Sequence, residues 1–147
     1  MRKRRRETRQ FLSDMMTKKQ HMDYWVDAAQ YDWAGAEEAF NARRYIHCLF
    51  WAHLAIEKLA KAHWIRTHQD NIPPKIHNIV RLLEQSDIDL GEDMMKFLEM
   101  FNRFQLSARY PDYINDMYKV CGKEYTAGQL EKVREVKQCL IEMLQSA

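Results

Sequence analysis

This sequence predicts an all-α fold, an up-and-down antiparallel bundle of four long helices plus one short helix. Three observations point there. Apolar residues recur three and four apart over long stretches. No stretch sustains the apolar–polar alternation that a half-buried strand would show. Glycine and proline number only 4 and 3 in 147 residues, while the helix formers Leu, Ala, Met, Glu, Lys and Gln are common.

Residues 1–16 are basic and weakly patterned, and form either an N-terminal tail or an extension of the first helix. A single helical domain is expected over 17–147, a length that supports one core. Thr17 followed by Gln20 has the form of a capping box, which would start a helix there. From Met22 to Phe40, the residues Met22, Trp25, Val26, Ala29, Trp33, Ala36 and Phe40 keep helical spacing, and Asn41 breaks it. A second helix is expected over 42–67, striped by Ile46, Leu49, Phe50, Ile56, Leu59, Ala60 and Ala62. Pro73 and Pro74 then enforce a loop.

A short third helix carries Ile76, Ile79, Val80, Leu82 and Leu83, with His77 in its first turn. Asp89, three residues before Glu92, reads as the N-cap of a fourth helix over 90–108. Residues 109–125 read as irregular and tyrosine-rich. An irregular stretch of that length inside a compact domain is usually functional or mobile. The last helix is expected to begin at Thr126, in a capping box with Gln129.

The formal net charge is only +2, so the chain as a whole is not a polyanion-binding sponge. Its charge is uneven, with six Arg and Lys among the first nine residues. No apolar run approaches the roughly 20 residues of a membrane span, and the basic start leads into a segment too polar for a secretory signal. A cytoplasmic location is the default. Three cysteines, Cys48, Cys121 and Cys139, lack CxxC spacing and read as reduced thiols.

The second helix carries candidate site residues. His53, Glu57 and Lys61 are four apart and share one face. Glu57 and Lys61 read as an ion pair on a solvated face. His53, in line with Leu49, Ile56 and Ala60, reads as a satisfied buried histidine or one beneath an interface. A metal site would need further ligands, and neither HExxH nor an ExxH pair is present, so no metal and no cofactor are expected. There is no glycine-rich phosphate loop. Trp25, Trp33, Trp51 and Trp64 read as core. Tyr110, Tyr113, Tyr118 and Tyr125 are the surface candidates. An arginine beside exposed aromatics, such as Arg109 next to Tyr110, can hold a phosphate and stack a base. Arg43 and Arg44, close before His47, offer a cation and a proton-transfer group, the minimum for acid–base cleavage of RNA.

The assembled pieces resemble the HEPN family, the helical domain named for higher eukaryotes and prokaryotes nucleotide-binding. "WVDAAQYDWAGAEEAF" resembles its first helix. "RRYIHCLFWAHLAIEKLAKAHW" resembles its long second helix. His77 in "PPKIHNIVRLL" matches a recurring Thr-His-x-Leu turn, with Ile76 in place of the threonine. "LSARYPDY" resembles an Ala-Arg-Tyr-Pro-Asp signature. The resemblance covers about residues 22–146 and leaves the basic start outside.

The resemblance implies a helical bundle that often dimerises and associates with minimal nucleotidyltransferases, frequently in toxin–antitoxin or defence pairs. Some branches are metal-independent ribonucleases with an Arg-x(4–6)-His motif. Here no arginine precedes a histidine at that spacing, so no catalytic residue is assigned. The expectation is a non-catalytic, homodimeric binding module for a nucleotide phosphate, RNA or a nucleotidyltransferase partner. Arg109 would be the phosphate fork, Tyr110 a stacking group and Asp112 part of the same signature, with His77, His53, Glu57 and Lys61 as neighbours. The alternative is a ribonuclease built on Arg43 or Arg44 with His47 or His53.

Overall fold

The computed structural model describes residues 2–105 and 111–146, without the side chains of 12–14 and 111–114. Among these residues there are seven α-helices and one 3-10 turn, and no strand. They are α1 (Arg2–Met15), α2 (Lys18–Asn41), α3 (Tyr45–Thr67), α4 (Ile79–Gln85), α5 (Glu92–Phe101), α6 (Pro111–Val120) and α7 (Lys123–Gln145), with the 3-10 turn at Asn102–Gln105 after α5.

The expected capping box opens α2. The Thr17 hydroxyl accepts from Gln20 N at 3.1 Å, and Thr17 N donates back to Gln20 Oε1 at 2.9 Å. Asn41 is the last residue of α2, and a turn with Arg43 at φ 61° leads into α3. α2 and α3 form an antiparallel pair, because Lys18 at the start of α2 reaches the end of α3. Its ammonium donates to Ile65 O, His68 O and Asn71 Oδ1 at 2.8, 2.7 and 2.7 Å. A cation here satisfies carbonyls that a helix C-terminus leaves open and offsets its dipole.

α3 is the central element, flanked by α2, α7, α4 and the 3-10 turn. Leu49, Ala52, Ile56, Leu59 and Ala60 are buried along it, in one core with Ala29, Trp33 and Ala36 of α2 and Val133, Val136 and Leu140 of α7. Burial of this kind contributes roughly 1.5–3 kcal/mol per large apolar side chain. α2 packs tightly on α3 at Gly35, where a Cβ would fall 1.8 Å from Trp51 Cε3.

Several expected boundaries move. α4 is capped by Asn78, whose Oδ1 accepts from Arg81 N at 3.1 Å, so Ile76 and His77 lie before the helix and not in its first turn. Gly91, at φ 94°, caps α5, and Asp89 instead accepts from Gly91 N in the preceding turn. α5 ends at Phe101, short of the expected Ala108; residues 106–108 lie outside the described residues. The stretch expected to be irregular contains α6. Pro111 is its first residue, where the missing N–H costs nothing and the fixed φ suits a helix. α7 begins at Lys123 behind Gly122, so Thr126 is buried inside the helix and caps nothing.

Candidate functional site

A polar seam runs along α3, where the four-residue spacing of His53, Glu57 and Lys61 meets the loop before α4 and the 3-10 turn. All three are buried. This corrects the expectation that Glu57 and Lys61 pair on a solvated face. The loop and α2 cover the stripe, and its charges are paired inside. Glu57 Oε1 accepts from His77 Nδ1 at 2.7 Å, and Oε2 lies 3.7 Å from the Lys61 ammonium. Lys61 also sits 5.4 Å from the centre of the Trp25 ring, a cation–π contact. The His77 side chain is 61% exposed although its carboxylate partner is only 5% exposed. The carboxylate thus fixes Nδ1 as the protonated nitrogen and leaves Nε2 on a solvent-reachable ring.

His53 fulfils the expectation of a buried, satisfied histidine. Its Nε2 donates to Asn102 Oδ1 at 3.2 Å, and its ring packs against Phe101. Burial pushes its pKa below the usual histidine value, against the opposing pull of Asn102 and Glu57. Asn102 joins three elements. Its Oδ1 also accepts from Ile79 N at 3.0 Å, and its Nδ2 donates to Asn78 Oδ1 at 2.9 Å. The loop carrying His77 is thereby tied to α3 and to the end of α5. Neither Asn78 nor Asn102 is among the residues expected from sequence. Asn78 carries a findable signal, an N-cap three residues before Arg81. Asn102 carries none, since its partners are remote in the chain.

Arg109 and Tyr110 lie outside the described residues, and Asp112 is placed only as backbone within α6. The structure therefore brings together His53, Glu57, Lys61 and His77. Of the surface tyrosine candidates, Tyr118 is exposed, whereas Tyr125 is half-buried and its hydroxyl accepts from Arg103. Tyr110 and the Tyr113 side chain are outside the described residues.

A second feature lies between the end of α2 and the start of α3. A cleft of about 390 Å³ is lined by Gly35, Glu38, Ala39, Ala42, Arg44, His47 and Trp51. Trp51, expected in the core, is 43% exposed here. The other tryptophans divide, with Trp33 buried and Trp25 and Trp64 half-buried. Trp64 stacks on His68 at 3.9 Å between ring centres.

The three cysteines are free thiols; burial, with the Glu37 carboxylate nearby, pushes the Cys48 pKa to about 12. Among the described residues, no group of three or more His, Cys, Asp or Glu could hold a metal ion, and no helix is long and apolar enough to cross a membrane.

The bundle is similar to the crystal structure of TT1696 from Thermus thermophilus, with a TM-score of 0.69 and 19% identity over 82% of this chain and 96% of that one. A likeness at that identity speaks for the fold alone. No curated protein matches the chain. The HEPN domain family profile matches residues 22–145, which takes in α3, the His77 loop and α7. The chain belongs to the HEPN domain family.

Proposed function

We propose that this HEPN domain is a non-catalytic, homodimeric binding module that recognises a nucleotide phosphate or a nucleotidyltransferase partner, as one half of a toxin–antitoxin or defence pair. The observation that carries the reading is His77, an exposed ring held at one nitrogen by a buried carboxylate. That arrangement presents a fixed polar atom without a nucleophile to activate, which suits recognition better than a reaction. The Asn102 network supports it by holding the loop in place. Arg109 and Tyr110 enter the proposal on sequence grounds, as phosphate fork and stacking group. His53 is committed to Asn102 and buried, so it does not serve as an acid–base group. The homodimer would use the outer strip of α3, where Trp51 and Leu54 are exposed. Calorimetry with ATP, GTP and short RNA on wild type, His77→Ala and Arg109→Ala tests the assignment. Binding lost in either variant supports it, and equal binding by all three proteins overturns it.

A second reading, a metal-independent ribonuclease, rests on Arg44 and His47 lining one cleft beside exposed Trp51. It departs from the family's Arg-x(4–6)-His spacing. Incubation with labelled tRNA in EDTA discriminates. Cleavage abolished by His47→Ala would replace the binding reading with this one.

A further inference from the structure

Helix α1 lies outside the region matched by the family and outside the seam on α3. It is a helix of 14 residues, and residues 2–11 are all exposed. Arg2, Lys3, Arg4, Arg5 and Arg6 are consecutive. At about 100° per residue they distribute cations around the whole circumference. Arg9 adds a sixth and Glu7 is the one acid, so residues 2–9 carry +5. The whole chain carries only +2, so the remainder is −3. The net positive charge of this protein is therefore concentrated at the start of one exposed helix, and the rest of the chain, with 17 Lys and Arg against 20 Asp and Glu, is mildly acidic.

We propose that α1 is an arm that seats in the major groove of duplex DNA and grips its phosphates without reading sequence. Three features select this partner. Cations on every side of a helix are used fully only between two walls of negative charge, and a flat anionic surface would meet one side of it. The major groove, about 12 Å wide, admits an α-helix and has phosphates on both rims. The first nine residues of the chain after Met1 hold no apolar side chain, so this part of α1 has no face to bury in lipid. Exposed Phe11 and Met15 come only at its far end, next to α2. The contacts are charge-assisted bonds from guanidinium and ammonium groups to phosphate oxygens, which carry no sequence information.

The test uses the full chain and the variant Arg4→Gln/Arg5→Gln/Arg6→Gln. Glutamine keeps helix propensity near that of arginine. Anisotropy of a labelled DNA duplex is measured from about 50 to about 200 mM salt, where six phosphate contacts give a log–log slope near −5. The expected result is salt-sensitive binding by wild type, and a slope flattened by about 2–3 with much weaker binding in the variant. Equal binding by both proteins overturns the proposal. So does tighter binding to phosphatidylserine vesicles than to the duplex. Equal affinity for duplex RNA, whose deep and narrow major groove excludes a helix, overturns the groove seating. The melting temperature of the variant should match wild type; a large drop would show that α1 packs on the bundle instead.

Discussion

The ring of Trp51 occupies the space that a side chain at Gly35 would need, with Cε3 and Cζ3 only 1.8 and 2.0 Å from an added Cβ. In a helix interior Gly→Ala normally gains up to about 1 kcal/mol. Here the ring must leave or the α2–α3 pair must spread. Gly35→Ala should therefore destabilise by about 1–2 kcal/mol, the overpacking cost less the propensity gain. In a Trp51→Ala background the same change should be neutral or stabilising. Urea unfolding of the four proteins of the cycle gives the coupling directly.

Glu57 and Lys61 are buried together, so each is the other's compensation. Glu57→Gln leaves a buried ammonium whose remaining partner is the Trp25 ring. The expected loss is about 3 kcal/mol. His77→Gln, at an exposed ring, should cost about 1 kcal/mol or less, because Glu57 keeps Lys61. Comparable losses for the two variants, read by chemical denaturation, would contradict this ranking.

Two histidines should make the fold acid-sensitive. Burial lowers the folded pKa of His53 and of His63 below the usual 6.5. His63 Nε2 donates to Leu140 O at 2.8 Å, while Arg66 lies near its other ring nitrogen and opposes protonation further. The unfolded chain then binds more protons than the folded one below about pH 6.5. Their stabilisation is complete above that pH and is lost as pH falls toward the folded values. The loss approaches about 1.4 kcal/mol per pH unit for each fully uncoupled histidine. Melting temperature measured from neutral pH down to mildly acidic pH should fall, and His63→Gln should flatten the curve. A flat wild-type profile would count against it.

If the exposed strip of α3 closes a two-fold dimer, Leu54→Glu should split it without unfolding the protomer, since Leu54 is already 38% exposed. Light scattering and circular dichroism on wild type and variant check both halves. A monomeric wild type at high concentration would end this idea.

Cys48 should resist alkylation. Burial holds its thiol protonated far above neutral pH, with a pKa of about 12. Iodoacetamide at mildly alkaline pH should modify partly exposed Cys139 first and Cys48 only after denaturation. Mass spectrometry of native protein showing Cys48 modified would refute this.

The main helices are legible because their signals are local. Thr17 with Gln20, Asn41, and Pro73-Pro74 each act through their own backbone neighbours. α6 is hidden for a local reason as well. Pro111 reads as a stop, yet the same missing N–H makes it a good first residue. The start of α7 is hidden because Gly122 offers no side-chain cap to recognise. At the site, four-residue spacing places His53, Glu57 and Lys61 on one stripe. Whether that stripe faces water depends on the loop folding over it from 20 residues away, and an i,i+4 Glu–Lys pair looks the same on either side of a helix. Asn102, the junction of three elements, is invisible because nothing in its own neighbourhood marks it.

Lys18 ties the start of α2 to the end of α3 and the connection beyond it. It precedes the span that the family shares, yet it fastens the last turn of α3 and Asn71 in the connection that carries His77. A shortened version cut at Met22 would exchange that anchored cation for solvent at the far end of the molecule. The connection would slacken from its Asn71 side and keep the Asn102 knot and the His77–Glu57 bond. Trimming one terminus would thus be felt, through a single ammonium, at the exposed imidazole some 60 residues downstream.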